Sequence, residues 1–222
     1  MQSWEIFPVE EKTKEDSRYA RLATPPLRST ALRSPIAETV PESSQTIVLG
    51  GGCFWCTEAV FCDVTGVVHT EVGYAGGFTE DPTYEEVCGG GTGHAEVLKL
   101  EYDPAQISLD KVLEVFFKMH DPTSVDRQGN DVGSQYRSII LFQSEEQLPA
   151  IKKALADQSR LYLRPVVTQV ERLKDFYPAE EYHQRYFEKH PTASYCAFVV
   201  RPKVEKIRST FPEFTTSDSR RI

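Results

Sequence analysis

The sequence has no apolar run approaching the ~18 residues that would suggest a membrane-crossing helix. Basic residues are in the minority, with 25 Lys and Arg against 33 Asp and Glu for a formal charge of −8. Such a surface does not attract polyanions, which argues against nucleic acid or an anionic membrane as the main partner. Cysteine is sparse: the five residues are an odd number, far from the density of a disulfide scaffold, and fit a reducing compartment. Met1 to Glu5 offer neither the basic start nor the apolar core of a secretory signal, and Glu5, Glu10, Glu11, Glu15 and Asp16 argue against an organelle transit peptide. The expected location is the cytoplasm. No internal repeat is evident.

What is present is ordinary for a globular chain, with 40% hydrophobic and 26% charged residues in 222. That length suits one domain with a sizeable core. Residues 1–44 mix both charges with Pro25, Pro26, Pro35 and Pro41 and keep no period, so they read as a partly disordered extension. A catalytic domain is expected over 45–210 and a tail over 211–222. From Thr46 the signals become regular. Thr46–Leu49, Val67–Tyr74, Glu96–Tyr102 and Ser138–Phe142 read as strands. Ser108 caps a helix to about His120 with Leu109, Val112, Leu113, Phe116 and Phe117 on its apolar face. Ser144 and Gln147 form a capping box for a helix carrying Leu148, Ile151 and Leu155, with Pro149 tolerated in its first turn. Pro165–Leu173 is expected as a strand, Pro178–Lys189 as a helix and Tyr195–Val200 as a last short strand. Strands and helices in this order imply an α+β domain, a two-layer sandwich with helices packed on a central mixed sheet.

The most informative segment is Gly50-Gly51-Gly52-Cys53-Phe54-Trp55-Cys56, which follows the first strand and opens a helix over Phe54 to Phe61. A thiol at a helix start faces backbone N–H groups and the positive end of the dipole, which favours thiolate. Phe54 and Trp55 beside it would line an apolar pocket. A lone cysteine is more often a small buried hydrophobe, but this context reverses the odds. C-x-x-C spacing also serves redox pairs and half zinc sites, so those uses compete.

Two polar loops form the second cluster. Asp81 to Glu96 carries several carboxylates, a histidine and glycines at the entry to a strand, and Asp121 to Tyr136 is similarly polar. Each has a dull explanation in turns and half-buried tyrosines. Together, loops of this length in a compact domain are more often functional.

The Gly-Cys-Phe-Trp turn, Pro82-Thr83-Tyr84, Gly93-His94-Ala95-Glu96, Gly129-Asn130-Asp131 with Gln135-Tyr136-Arg137-Ser138, and Phe176-Tyr177-Pro178-Ala179-Glu180 resemble, in this order, the A-type peptide-methionine sulfoxide reductases. The resemblance covers about 46–208. It implies a ferredoxin-like core, reduction of the S epimer of methionine sulfoxide, free or in peptides and oxidised proteins, and recycling by thioredoxin or another dithiol with no bound cofactor and no metal. Carried over by motif, it gives Cys53 the role of nucleophile, Phe54 and Trp55 the methyl pocket, Glu96 the acid, Tyr84 and Tyr136 the oxygen-binding phenols, and Asp131 a supporting role. The chemistry asks for the same residue types. Thiolate attack on a weakly electrophilic sulfur needs a proton or strong donors delivered to a poor leaving oxygen. A glutamic acid does that near neutral pH when burial raises its pKa.

Attack leaves Cys53 as sulfenic acid, and a second thiol condenses with it to a disulfide. Cys56, three residues on, is the nearer candidate. Cys196 sits where other members keep a resolving cysteine, but Phe198-Val199-Val200-Arg201-Pro202 replaces the usual glycine-rich tail, so Cys56 is favoured. Cys62 and Cys88 read as packing cysteines, His94 as a loop holder, and His183 and His190 as part of a charged helix and its end. Two other classes stay open: a zinc module using Cys53, Cys56 and Cys62, Cys88 or His94, which lacks a second close pair, and a thioredoxin-like disulfide exchanger, which leaves the Glu and Tyr motifs without a task.

Overall fold

The computed structural model describes residues 43–215. All but the last two residues of the expected extension lie outside that range, as do 216–222 of the expected tail. Residues 211–215 pack on the domain: Phe211 is buried, the Thr65 N–H donates to the Phe214 carbonyl at 2.8 Å, and Thr215 bridges Val64.

In chain order the described elements are strand β1 (Gln45–Gly51), helix α1 (Phe54–Phe61), β2 (Val67–Ala75), α2 (Tyr84–Cys88), β3 (Ala95–Tyr102), α3 (Leu109–Met119), β4 (Arg127–Gln128), β5 (Asp131–Val132), β6 (Ser138–Phe142), α4 (Leu148–Leu161), β7 (Gln169–Arg172), β8 (Phe176–Pro178), α5 (Tyr186–Lys189) and α6 (Arg201–Thr210). A six-stranded sheet runs β7-β6-β1-β3-β2-β8. Only the β6–β7 pairing is parallel, and β4 and β5 form a separate small hairpin. The expected α+β class with a mixed sheet is what the chain adopts.

Alternation along the strands sorts the core into two faces. Ile47, Leu49, Val72, Tyr74, Leu98, Leu100, Tyr102, Ile140 and Phe142 face the helices in the main cluster. Val48, Ala75, Ala95, Val97, Ile139 and Leu141 form a smaller one on the opposite face, with Leu173 and Phe176 against it. Glu96 falls in the helix-facing row, two residues before Leu98, and is 2% exposed. α1 is buried nearly all round, which explains why its sequence carries no polar stripe. Full burial of Phe54 and Phe61 contributes roughly 2–3 kcal/mol each.

The caps behave as expected: Ser108 accepts the Lys111 N–H, and the Ser144–Gln147 box closes a short turn leading into α4, with Pro149 in its first turn. Three expected elements are corrected. The strand expected over Pro165–Leu173 is confined to Gln169–Arg172. The helix expected over Pro178–Lys189 is reduced to Tyr186–Lys189, because Phe176–Pro178 joins the sheet edge and Arg185 takes a left-handed conformation, φ 55, that stops a helix extending backwards. The strand expected over Tyr195–Val200 is a wide helical turn, Cys196–Val200, continuing into α6. Buried Cys196, Val200, Val204 and Ile207 recur at helical spacing, and Pro202 in the first turn of α6 does not interrupt it. No helix among the described residues is long and apolar enough to cross a membrane.

Candidate active site

β1 ends in a glycine turn with Gly52 at φ +98, where a Cβ would meet the Gln128 side chain at 2.7 Å. Cys53 follows at the start of α1, and its carbonyl accepts the Cys56 N–H at 3.0 Å. The next N–H, that of Phe54, donates to Glu96 Oε2 at 3.0 Å. The first N–H of the helix therefore meets a carboxylate. Cys53 is 5% exposed, and burial pushes its thiol well above the ordinary value. Cys56, hydrogen-bonded to it, is lowered by that bond. Burial thus opposes the ionisation of Cys53 that the helix dipole favours.

The phenols lie close enough to feel the same carboxylate. Tyr84 opens α2 behind a Thr83–Glu86 capping box, and its N–H donates to Glu180 Oε1 at 3.0 Å. Glu180 Oε2 accepts the Tyr74 hydroxyl at 2.8 Å, so one side chain ties β2 to the Tyr84 loop. Tyr136 is fixed by its neighbour: the Arg137 guanidinium donates to the carbonyls of Gly76, Gly93 and Ser134. Burial first, then the charge of Glu96, raises the pKa of both Tyr84 and Tyr136, which keeps them as O–H donors.

An aromatic wall completes the site. The Trp55 indole N–H donates to His183 Nδ1 at 3.1 Å, and the Tyr186 ring stacks on the indole at 3.8 Å and 8°. Phe54 lies 5.1 Å from the His183 ring, which in turn lies 4.5 Å from Tyr84. Tyr195 stands edge-on to Trp55 at 5.9 Å, donates to Asp131 Oδ2 at 2.7 Å, and lies 3.9 Å from Cys56 Sγ. Asp131 thus reaches the thiols through Tyr195. Cys196 is fully buried in the turn after Tyr195, and burial together with Cys53 pushes it up to about 11.

The predicted residues therefore gather around one thiol pair, and sequence reasoning missed Glu180, Arg137, Tyr186 and Tyr195. Glu180 and Arg137 lie inside motifs already quoted and Tyr195 precedes Cys196, and that proximity is the signal that points to a role for them. His183 is not in a charged helix but 1% exposed against Trp55, whereas His94 holds its loop through Gly77 and Thr79. Cys88, expected to pack, is exposed at the end of α2, and Cys62 is half-buried beside Thr70 and Arg185. Among the described residues no group of three potential ligands gathers to hold a metal ion.

Two touching thiols with a carboxylate and phenol donors alongside define a thiol-dependent oxidoreductase. A profile of the family described as peptide methionine sulfoxide reductase matches residues 45–215. The peptide methionine sulfoxide reductase MsrA of Nautilia profundicola is 56% identical over 159 residues, 72% of this chain and 91% of the relative. That of Trichodesmium erythraeum is 51% identical, covering 76% and 96%. The reduced form of Mxr1 from Saccharomyces cerevisiae superposes with TM-score 0.65 at 36% identity, covering 73% of this chain and 96% of that one. The methionine sulfoxide reductase A of Corynebacterium diphtheriae does so with TM-score 0.62 at 36% identity, covering 68% and 76%. The chain belongs to the peptide methionine sulfoxide reductase family.

Proposed function

We propose that the chain reduces the S epimer of methionine sulfoxide, free or in peptides and oxidised proteins, with Cys53 as the oxygen acceptor. The observation that carries this reading is the Glu96 carboxylate bonded to the Phe54 N–H, since it fixes a proton carrier against the residue following the nucleophile. The Cys53 sulfur attacks the sulfoxide sulfur while its proton passes by way of Glu96 to the oxygen. Tyr84 and Tyr136 donate to that oxygen as charge develops. The substrate methyl lies against Phe54 and Trp55, and Asp131 acts by orienting Tyr195. Thiol and sulfoxide become sulfenic acid and thioether, so Cys53 is oxidised by two electrons and methionine sulfur reduced by two.

A second thiol then displaces water from the sulfenic acid. Cys56 is favoured for this step, supported by its hydrogen bond to Cys53; Cys196 is the other candidate. Thioredoxin or another dithiol supplies the two electrons that reopen the disulfide, and no bound cofactor is required. Residues 45–210 act as the catalytic domain. The strand order β6-β1-β3-β2, with α1 and α3 as crossovers, supports reading the core as ferredoxin-like. The sparse, odd cysteine count favours a reducing, cytoplasmic location.

Single-turnover reactions of the full chain with each sulfoxide epimer test the reading. Methionine is expected from the S epimer alone, one equivalent from Cys56→Ser, and none from Cys53→Ser. Activity on generic disulfides with none on methyl sulfoxides would make the chain a disulfide exchanger. Full turnover of Cys56→Ser with a dithiol protein would move the resolving role to Cys196.

A further inference from the structure

The turn that brings His183 and Tyr186 to Trp55 is held by a carboxylate the reaction does not use. Glu58 follows Trp55 by three residues on α1, hence on the same side of the helix. It is 2% exposed, and its Oε2 accepts the Arg185 N–H at 2.8 Å while the Tyr186 N–H stabilises the same carboxylate. Arg185 is left-handed at φ 55, a conformation a non-glycine residue keeps when its surroundings hold it there. On either side of Arg185 stand two contacts of Trp55, the His183 nitrogen that accepts its N–H and the Tyr186 ring that covers one face. α1 therefore presents both the indole and the anchor of the clamp that orients it. Glu58 Oε1 has no hydrogen-bond partner, an arrangement that costs stability and that an apolar side chain would avoid.

We infer that Glu58 is a positioning residue that sets selectivity for the substrate methyl group, because its bond to the Arg185 turn fixes the face of Trp55 on which that methyl packs. The inference rests on the reading of Trp55 as the methyl wall. With Glu58→Ala the turn relaxes, the indole is no longer held, and a pocket matched to methyl tolerates ethyl. One methylene in an apolar pocket is worth about 10- to 200-fold, so the effect is measurable.

The full-length protein, with a small dithiol as reductant, is assayed on N-acetyl methionine sulfoxide and its S-ethyl homologue. Glu58→Ala is expected to raise KM for the methyl substrate about tenfold, to change kcat much less, and to lower the methyl-to-ethyl ratio of kcat/KM about tenfold. Glu58→Gln, whose amide oxygen still accepts the Arg185 N–H, is expected to restore the wild-type ratio. If Glu58→Ala does not fold, Glu58→Asp is read in the same way, since its shorter side chain withdraws the acceptor. A folded variant with lowered Tm but an unchanged ratio and KM overturns the inference, as does Glu58→Gln matching Glu58→Ala. Absence of sulfoxide reduction by the wild-type protein would instead overturn the proposed function.

Discussion

Cys53, the proposed nucleophile, sits where burial opposes its ionisation, and the N–H of the next residue, Phe54, is bonded to Glu96. The thiol should therefore resist alkylation at neutral pH. In Cys56→Ser, which removes the other thiol of the pair, modification of Cys53 by iodoacetamide is expected to be slow at pH 7 and to accelerate through pH 9. Fast reaction at pH 6 would show the thiolate to be the resting form. In the proposed mechanism Glu96 carries the proton of the first step. Glu96→Gln keeps an acceptor for the Phe54 N–H but cannot take or give that proton. Its single-turnover rate is expected to fall about 10²–10⁴-fold at pH 7, a range typical of general acid–base catalysis. An unchanged rate in stopped-flow measurement removes Glu96 from the role.

β8 shows how a short edge strand controls a site it does not enter. It pairs with β2 across Gly73, where a Cβ would meet the Tyr177 carbonyl at 2.4 Å and the Phe176 ring at 2.5 Å. Gly73→Ala must push β8 outward and carry along Glu180, two residues past it, with its hold on Tyr84 and Tyr74. A misplacement near 1 Å costs on the order of 10²-fold, so kcat/KM should drop by about that much while circular dichroism shows the fold retained. Wild-type activity in this variant would free Glu180 from the positioning role. Such dependence on long-range contacts also explains what the sequence left unread. The burial of Glu96 was legible, because the period of β3 put it in line with Leu98 and Leu100. The caps of α3 and α4 were legible because they are local. The segment Tyr195–Val200 was not: β-branched and aromatic residues suggested a strand, and only packing of Cys196, Val200, Val204 and Ile207 on the core shows the helical period to be the one used. Arg185 could not be read at all, since nothing local announces a left-handed arginine held by a carboxylate 127 residues away.

Two buried groups on separate parts of the core titrate in opposite senses, and their sum shapes the pH dependence of the whole fold. Burial raises Glu58 to about 7, opposed by the Arg185 N–H, and lowers His120 to about 4, opposed by its bond to the Phe116 carbonyl. The raised carboxyl adds stability that is present below its unfolded value of 4.5 and lost as pH rises towards 7. The depressed imidazole does the reverse: its unfolded form gains a proton below 6.5 that the folded form refuses until 4, so stability is lost as pH falls through that window. Each shift corresponds to about 3 kcal/mol, and because the windows overlap the two slopes nearly cancel between roughly pH 4.5 and 6.5. Glu58→Gln abolishes one slope and exposes the other. Relative to wild type, its stability in urea melts should rise by about 2–3 kcal/mol from pH 4.5 to 7.5, whereas His120→Gln should show a difference of opposite sign. Parallel curves for Glu58→Gln and wild type would mean that the carboxyl ionises near its ordinary value, with solvent reaching the Arg185 turn.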